Sequence, residues 1–341
     1  AERLALPVAT TLSGKGAIPE THPLSLGVLG ALGGTPMAKA YCEAADVILA
    51  VGVKFGQNTT FYWTLPRSNQ RLIHMDIDGA EIGKVFPAEV GMVTDARAGL
   101  AALNAACGLV RPVEAAANDI SARKAEWQAQ LVAQAEAAKP IKPQQVASLL
   151  DKLTGPDTIL VSDASFSGGW GSMYFEARDN RRAIFPRGMA GLGWGLPAAI
   201  GAKIARPGAT VVVLAGDGAM TYCLGELATL AQEGLNVKVV VLNNSAMGWI
   251  KWDQALEWDG KFQSTDLSTV DFATTARGLG CDGIQVNDPC DLGDALAKML
   301  ETDSPTVVDV RTTVSEAAVP KFTESSQARG YMQAEGVAEH D

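Results

Sequence analysis

The chain has 341 residues and a net charge of −10, with 47% hydrophobic and 19% charged residues. This is ordinary for an α/β protein with room for two domains, and the acidic balance argues against nucleic acid or an anionic membrane as partner. No apolar run reaches the ~18 residues of a membrane span, and the first residues lack the order of a signal peptide. Five cysteines without a CxxC or metal-ligand spacing indicate free thiols, so we expect a cytoplasmic protein.

Strand-like and helix-like segments alternate along residues 1–110. Apolar runs at 6–12, 47–53 and 72–77 are typical of buried parallel strands, and segments 36–45 and 96–106 suit helices. The pattern predicts a three-layer α/β/α domain. Its abrupt start, with a helix-like turn running directly into a strand, leads us to expect that the first βα units of this domain are missing.

A polar segment, 111–142, is rich in Ala, Glu and Gln and is predicted to be a helical linker. A second domain follows at 143–325, and residues 326–341 form a polar tail. The predicted strands of the second domain are 158–162, 183–185, 210–214, 237–242, 283–286 and 306–310. Its predicted helices are 195–205, 222–233, 269–279 and 291–300. This alternation predicts a doubly wound parallel sheet, whose ligands bind at the carboxyl ends of its strands.

Polar motifs follow two successive strands of this second sheet. Gly216-Asp217-Gly218 come directly after an apolar strand, and Asn243-Asn244 end the next one. We therefore expect the two motifs side by side at the carboxyl edge. Mg²⁺ favours about six oxygen ligands and keeps phosphate oxygens among them. A carboxylate from Asp217 and an amide oxygen from Asn244 would suit it.

The residues around these motifs suit a diphosphate. The backbone carbonyl of Ala246 could be a third oxygen ligand, with diphosphate oxygens and a water completing the shell. Gly216 and Gly218 let the backbone approach the anion without a Cβ clash. The N–H groups of Ala219 and Met220, which open the next helix, would point at it. Either motif alone is more often a simple turn, but together they predict a Mg²⁺–diphosphate site.

This order of GDG, helix, strand and NN resembles the signature of thiamine-diphosphate (ThDP)-dependent enzymes. Segment 191–202 (GLGWGLPAAIGA) resembles the stretch before GDG in the acetohydroxyacid synthase and pyruvate decarboxylase superfamily. Segments 7–19, 26–34, 51–55 and 74–84 resemble its central domain. The chain is thus similar to the C-terminal part of such an enzyme, comprising half of the central domain and the diphosphate-binding domain.

The resemblance implies a role for individual residues. Asp217 and Asn244 match the Mg²⁺ ligands of the family, and Ala246 matches the residue that gives a backbone oxygen. Leu192 matches the bulky apolar residue that bends ThDP into a V shape. The carbonyl of Ala190 lies where the family accepts a hydrogen bond from the 4′-amino group of the cofactor.

Further residues match the family's cofactor contacts. Met247 falls where an apolar side chain touches the pyrimidine ring, and Ser165, Phe166 and Ser167 fall where a loop meets the diphosphate. Alternatives stay open for most of these. Leu192 and Met247 could be ordinary core residues, and the two serines could be ordinary turn residues.

A catalytic glutamate is the main element without a counterpart here. In the family, a further domain supplies the glutamate that bonds N1′ of the pyrimidine, whereas Glu2 and Glu20 lie in central-domain segments. We therefore expect a second chain, carrying the pyrimidine-binding domain, in a homo- or hetero-oligomer. Alone, this chain should bind ThDP weakly and turn nothing over. Whether the chain is a natural subunit or a fragment of a longer chain stays open.

The resemblance implies decarboxylation of a 2-keto acid, ligation of the resulting enamine to an acceptor, or both. Segment 243–254 resembles acetolactate synthases, but Asp253 stands where they place a specificity tryptophan. The tryptophan here is Trp252, and Trp249 replaces a smaller apolar residue. Lys251, Trp252 and Gln254 are therefore candidates for the acceptor pocket, or surface residues of the next helix.

Nucleotide binding is the other question that the resemblance raises. Synthases of the family bind FAD in the central domain and relatives bind ADP; the matching stretches here are 52–55 and 76–78. An acidic residue after a strand, such as Asp76, can hold a ribose hydroxyl, yet 56–58 lacks the acidic residues of the synthases. Two interpretations of the central domain stay open: it binds FAD or ADP, or it has a purely structural role.

Two alternative functions are considered for the whole chain. It could belong to an FAD-dependent oxidase of the same superfamily, or it could be a non-catalytic assembly subunit. A Rossmann dehydrogenase is disfavoured, because no GxGxxG follows a strand.

Overall fold

A computed structural model of the chain describes residues 1–108 and 110–318. The predicted tail lies outside these residues. The chain forms two compact units that divide between Trp127 and Gln128. All sheets are parallel and accompanied by helices, which confirms the predicted α/β class. Among the described residues, no helix is both long and apolar enough to cross a membrane.

Among the described residues of the first unit, five strands form two parallel sheets. One sheet pairs β1 (Val8–Thr10) with β2 (Ser25–Val28), and the other has the order β3 (Val47–Val51), β4 (Arg71–Asp76), β5 (Val90–Val93). The three predicted strands are confirmed: β1 and β3 are shorter than predicted, and β4 is shifted by one residue. Sequence reasoning missed β2 and β5, because each has only four residues with a glycine inside, which gives too short an apolar run.

The helices of the first unit follow the prediction. They are α1 (Pro36–Ala44), α2 (Ala96–Ala106) and the first turns of α3 (Glu114–Gln134). Helix α3 lies in the predicted linker and confirms its helical character. Its Ile120 is fully buried in a cluster with Leu24 and Leu26, so the start of this segment packs on the first unit. The boundary between the units falls inside α3.

In the described part of the second unit, six parallel strands form one sheet, and all six were predicted. They are β6 (Thr158–Ser162), β7 (Arg182–Ile184), β8 (Thr210–Gly216), β9 (Val237–Asn243), β10 (Asp282–Val286) and β11 (Thr306–Arg311). Their order is β10-β11-β9-β8-β6-β7. After β7 the chain crosses back over β6 to form β8, so the winding direction reverses between β6 and β8. Ligands of doubly wound sheets bind at such a switch point.

Eight helices accompany this sheet in the described part of the second unit. They are α4 (Pro143–Leu153), α5 (Phe166–Tyr174), α6 (Gly195–Ala205), α7 (Asp217–Cys223), α8 (Glu226–Gln232), α9 (Gly248–Glu257), α10 (Phe272–Gly278) and α11 (Leu292–Glu301). The prediction of one helix at 222–233 is wrong, because α7 begins directly after β8 and the chain breaks at Leu224-Gly225 before α8. The prediction also missed α5, whose three glycines lower helix propensity. One of them, Gly171, lets the helix approach Leu160 of β6.

The centre of the second unit is a dry core. Strands β8 and β9 are buried along almost their whole length, and their valines pack against Leu196, Leu227 and Phe272, which are all fully buried. Each such apolar side chain stabilises the fold by about 1.5–3 kcal/mol relative to exposure. This core fixes the carboxyl ends of β6, β8 and β9, where the candidate site residues lie.

Candidate functional site

Asp217 is a buried carboxylate at the end of β8. It is the first residue of α7 and is 5% exposed. Its Oδ1 accepts a hydrogen bond from the N–H of Gly218 at 2.7 Å, and its Oδ2 accepts from Ala246 at 3.3 Å. Burial raises the pKa of Asp217, while these backbone donors oppose the rise. No Lys or Arg of residues 1–108 or 110–318 pairs with it, so its charge lacks a cation.

A single N–H group joins the two predicted metal ligands. The N–H of Ala246 lies 3.3 Å from Oδ2 of Asp217 and 3.1 Å from Oδ1 of Asn244. The turn between them is tight, because Ser245 has a φ of 55°. The carbonyl of Ala246 accepts from Gly248 at 2.9 Å, which leaves its second lone pair. The structure thus brings a carboxylate and an amide oxygen to one N–H group, and the carbonyl of the same residue is a further oxygen of the kind that Mg²⁺ prefers.

This donor set differs from the usual cluster of ionisable ligands. In the part of the chain that the structure describes, no group of three or more His, Cys, Asp or Glu residues could hold a metal. A site with one carboxylate needs oxygen atoms from elsewhere, and diphosphate oxygens are suitable. The residues therefore fit a metal that arrives together with a phosphorylated ligand.

The two glycines of the GDG motif have different surroundings. A Cβ at Gly216 would meet no atom within 4 Å, so open space adjoins this backbone as the diphosphate prediction requires. A Cβ at Gly218 would lie 2.6 Å from Sδ of Met247. The N–H group of Ala219 lies in the first turn of α7, where it has no helical acceptor, whereas the N–H of Met220 follows the N-cap Gly216 by four residues and donates within the helix. Gly218 is thus required by packing against Met247.

The loop after β6 leads into α5, which begins at Phe166. The hydroxyl of Ser167 is buried and donates to the carbonyl of Asp163 at 3.0 Å or that of Ala164 at 2.9 Å. Its single proton is therefore engaged within the first turn of the helix. Ser165 has a φ of 76°, and its hydroxyl has no hydrogen bond to any described residue. Of the two predicted serines, Ser165 is the one with a free donor.

The turn before α6 carries the other predicted cofactor contacts. Leu192 is half-buried and packs against the core of the second unit, as the alternative interpretation of a core residue also expected. Ala190 has a φ of 48°, and its carbonyl accepts no hydrogen bond from residues 1–108 or 110–318. Gly193 has a φ of 80°. The backbone of this turn therefore presents one acceptor next to a partly exposed apolar side chain.

Asp163, which sequence reasoning missed, connects this turn to the sheet. Its carboxylate is fully buried and accepts from the N–H groups of Ala164 at 2.7 Å, Gly193 at 3.2 Å and Gly195 at 2.6 Å. Burial raises the pKa of Asp163, and the three N–H donors oppose the rise. The available signal was its position directly after a buried strand, the same position that drew attention to Asp217.

Two of the predicted pocket residues hold a loop. Lys251 is buried and pairs with Asp266 at 2.6 Å, and the side chain of Gln254 makes two hydrogen bonds to the backbone of Gln263. Both contacts anchor residues 263–266, which also contact the site, because Met247 donates to the carbonyl of Thr265 at 2.7 Å. Lys251 and Gln254 thus have structural partners already.

Two tryptophans of α9 and Phe166 of α5 build an aromatic cluster beside the site. The rings of Phe166, Trp249 and Trp252 are paired, with centroids 5.1 to 6.2 Å apart. Burial raises the pKa of Asp253, and a hydrogen bond from Trp249 opposes the rise. A Cβ at Gly248 would lie 3.5 Å from the amide nitrogen of Asn244 and 3.7 Å from Phe166. The cluster therefore adjoins one of the candidate metal ligands.

The first unit has its own cavity, of about 170 Å³. It lies at the carboxyl ends of β3 and β4 and at the start of α2, and it includes three of the residues considered for nucleotide binding, Gly52, Asp76 and Ile77. Phe55 packs instead in an apolar cluster with Ala50 and Leu72. The cavity is lined by Gly52, Met75, Asp76, Ile77, Thr94, Asp95 and Ala96.

Two family models match the chain. The model for the thiamine pyrophosphate enzyme central domain matches residues 1–103, and the model for the C-terminal TPP binding domain matches residues 163–310. Thiamine pyrophosphate (TPP) is another name for ThDP. Both matches fall inside the two domains predicted from the sequence, at 1–110 and 143–325.

Curated relatives agree with these matches. The chain is 32% identical over 340 residues to acetolactate synthase 1, chloroplastic, of Oryza sativa subsp. japonica, covering 94% of the chain and 51% of the relative. It is 36% identical over 327 residues to the acetolactate synthase isozyme 3 large subunit of Escherichia coli, covering 94% and 57%. It is 30% identical over 328 residues to the acetolactate synthase large subunit of Lactococcus lactis subsp. lactis, covering 94% and 55%. The chain spans about half the length of these relatives. By both of its domains, the chain belongs to the superfamily of thiamine-diphosphate-dependent enzymes.

Proposed function

We propose that this chain is the part of a ThDP- and Mg²⁺-dependent enzyme that holds the metal and the diphosphate. One observation carries the proposal: at adjoining strand ends, Asp217 and Asn244 direct oxygen atoms to the same N–H of Ala246. In this proposal the carboxylate of Asp217, the amide oxygen of Asn244 and the carbonyl of Ala246 bind Mg²⁺. The cation would supply the positive charge that the buried carboxylate lacks.

The neighbouring residues would hold the rest of the cofactor. The free N–H group of Ala219 would bind the diphosphate, together with Ser165, whereas the N–H of Met220 is engaged within α7. Phe166 and Ser167 would act by fixing the start of α5, since the hydroxyl of Ser167 is already engaged.

The ring system of the cofactor would lie on the apolar side of the site. Leu192 and Met247 would support it by apolar contact, and the carbonyl of Ala190 would accept a hydrogen bond from an amino group. When bound, ThDP supplies a carbon nucleophile for a 2-keto acid and accepts the electrons that the loss of CO₂ leaves behind. The chain's own residues bind and orient; none of those named in this proposal moves a proton.

For the reaction, we infer decarboxylation of a 2-keto acid with or without ligation to an acceptor carbonyl. The relatives are acetolactate synthases, and this supports the carboligation. The aromatic cluster of Phe166, Trp249 and Trp252 adjoins Asn244 and would form one wall for the acceptor. A half-buried carboxylate, Asp253, lies beside it.

A second chain is proposed to complete the site. Large apolar side chains are exposed around the turn that carries Leu192: Met189 is 98% exposed, Tyr222 70% and Trp194 38%. Exposed apolar side chains concentrated in one place mark contact surfaces. We propose that the pyrimidine-binding domain of another chain covers this surface and supplies the catalytic glutamate, in a homo- or hetero-oligomer.

A nucleotide is proposed for the cavity of the first unit. Asp76 is 8% exposed, lines this cavity at the end of β4 and could hold a ribose hydroxyl. At the start of α2, at the same cavity, the N–H groups of Ala96 and Arg97 would meet a phosphate, whereas that of Ala98 donates to the side chain of Asp95. ADP or FAD should raise the thermal transition of the wild-type protein and leave that of an Asp76→Asn variant unchanged; equal shifts in both would contradict the assignment.

The proposed function is tested on the assembled, full-length protein. Native mass spectrometry should show ThDP and Mg²⁺ bound to a complex that includes the pyrimidine-binding domain. CO₂ release from a panel of 2-keto acids should require both ThDP and Mg²⁺. A complex that binds ThDP but releases no CO₂ from any 2-keto acid would contradict the reaction, and an FAD chromophore bleached by substrate would favour the oxidase. No binding of ThDP at all would favour an assembly subunit.

A further inference from the structure

Asp163 is a fully buried carboxylate without a countercharge. No Lys or Arg pairs with it among the residues that the structure describes, and each of its partners is a backbone N–H group. A buried charge is costly unless such donors satisfy it. Three donors from two segments converge on this one side chain, although Ala164 and Gly195 are far apart in the sequence. Such an arrangement fixes two segments relative to each other.

Both carboxylate oxygens are needed for this contact. Oδ1 accepts from Gly193 and Oδ2 accepts from Gly195, so the side chain must offer an acceptor at each position. An asparagine has only one acceptor oxygen and would direct its NH₂ group at one of the two N–H donors. The fit is also tight, because a Cβ at Gly195 would lie 2.9 Å from Oδ2.

The backbone of Asp163 is tied to the neighbouring strand. Its N–H donates to the carbonyl of Leu214 in β8 at 2.9 Å, and β8 ends two residues later, directly before Asp217. A continuous path of hydrogen bonds therefore leads from the turn at Gly193 and Gly195, through Asp163, to the strand that carries the candidate metal ligand.

We propose that Asp163 is a positioning residue that sets the distance between Leu192 and the Mg²⁺–diphosphate half of the site. The inference rests on the proposed function, since it concerns the ring-binding side of the same site. It assigns Asp163 no contact with the cofactor. Loss of its charge should release the turn that carries Leu192 and Ala190, while Asp217 and Asn244 keep their places.

The test compares Asp163→Asn with wild type and with Asp151→Asn in the assembled, full-length enzyme. Asp151 pairs with the buried Arg181, so its variant controls for a general loss of stability. Without cofactor, hydrogen exchange at the amides of Gly193 and Gly195 should rise roughly tenfold in Asp163→Asn, because each loses a charged acceptor. Asp151→Asn should leave exchange at these two amides unchanged.

Two ligand probes separate the halves of the site. Mn²⁺ with inorganic diphosphate should bind Asp163→Asn and wild type equally, as measured by electron paramagnetic resonance. ThDP with Mg²⁺ should bind Asp163→Asn roughly tenfold more weakly, and the near-ultraviolet circular dichroism of bound ThDP should change. Asp151→Asn should bind both probes as wild type does.

The outcomes separate this inference from the proposed function. Wild type that fails to bind ThDP in the assembled enzyme would overturn both. Wild type that binds ThDP, with an Asp163→Asn variant that matches it in exchange, affinity and dichroism, would overturn the role of Asp163 alone. Gly195→Ala is a second variant that displaces the turn while keeping the carboxylate, and it should weaken ThDP binding without affecting Mn²⁺–diphosphate. Equal loss of both probes in Asp163→Asn would indicate a merely structural residue.

Discussion

The contact between Gly218 and Met247 gives the sharpest test of how the site is packed. An alanine at 218 would place its Cβ 2.6 Å from Sδ of Met247, which is roughly 1 Å inside the usual separation of about 3.5–4.0 Å. The next atom, Cδ1 of Leu267, lies at an ordinary 3.5 Å. Met247 alone therefore opposes the substitution.

The expected energies follow from two opposing effects. Overpacking lowers the free energy of unfolding by about 1–3 kcal/mol, whereas alanine in place of glycine inside a helix such as α7 raises it by about 0.5–1 kcal/mol. Gly218→Ala should thus destabilise the protein by about 1–2 kcal/mol. In a Met247→Ala background the overpacking disappears, and the same change should stabilise by about 0.5–1 kcal/mol.

Urea denaturation of all four proteins, followed by tryptophan fluorescence and far-ultraviolet circular dichroism, measures the cycle. The coupling energy between the two positions should be about 2 kcal/mol, within the range for residues in contact. If Gly218→Ala changes the free energy of unfolding equally in both backgrounds, the packing account of this glycine is wrong.

Three further predictions concern the second unit. Asp151→Asn leaves the buried charge of Arg181 without its partner at 2.8 Å and should lower the free energy of unfolding by about 2–3 kcal/mol, whereas Arg181→Met should lower it less; thermal denaturation compares them. Gly283→Ala would place a Cβ 2.1 Å from the backbone oxygen of Ala273, and chemical denaturation should show a loss of about 3 kcal/mol or more. Burial lowers the pKa of Lys238 to about 8, so between that pH and the higher pKa of the unfolded chain the folded form binds fewer protons. Wild type should therefore gain stability relative to Lys238→Met as pH rises from about 8 to 10, and a pH-independent difference would contradict this.

Much of the second unit could be predicted because its strands are long and apolar. Apolar runs such as those of β8 and β9 can be identified as buried parallel strands without knowledge of their neighbours. Since the carboxyl ends of parallel strands share an edge, the sequence also placed Asp217 beside Asn244. The shared N–H of Ala246 shows that the two side chains do meet.

The contacts that support the candidate site could not be predicted from the sequence, for a physical reason. Two of the three partners of Asp163 are backbone N–H groups about thirty positions away, and no residue type marks an N–H that will be available. In the same way, Ser167 looked suited to a phosphate, but its hydroxyl bonds the backbone of its own turn. Such local hydrogen bonds compete with ligand binding by the serine hydroxyl, and only the three-dimensional structure shows them.

The prediction from sequence also failed for short or glycine-containing helices and strands. Helix α5 has three glycines, which are typical of a loop, yet Gly171 allows this helix to approach Leu160. The break between α7 and α8 at Leu224-Gly225 has no strong helix-breaking residue other than glycine, so one longer helix was expected. Tertiary packing decides such segments, and propensity is only a weak guide.

The central claim is tested most directly by isothermal titration of ThDP into the assembled, full-length enzyme, with and without Mg²⁺. Three proteins are compared: wild type, Asp217→Asn, and Asp294→Asn, an exposed carboxylate of α11 that serves as the control. Wild type and Asp294→Asn should bind ThDP equally and only with Mg²⁺, while Asp217→Asn should lose affinity by roughly 100-fold. Unchanged, Mg²⁺-dependent binding of ThDP to Asp217→Asn would contradict the claim that this carboxylate holds the metal.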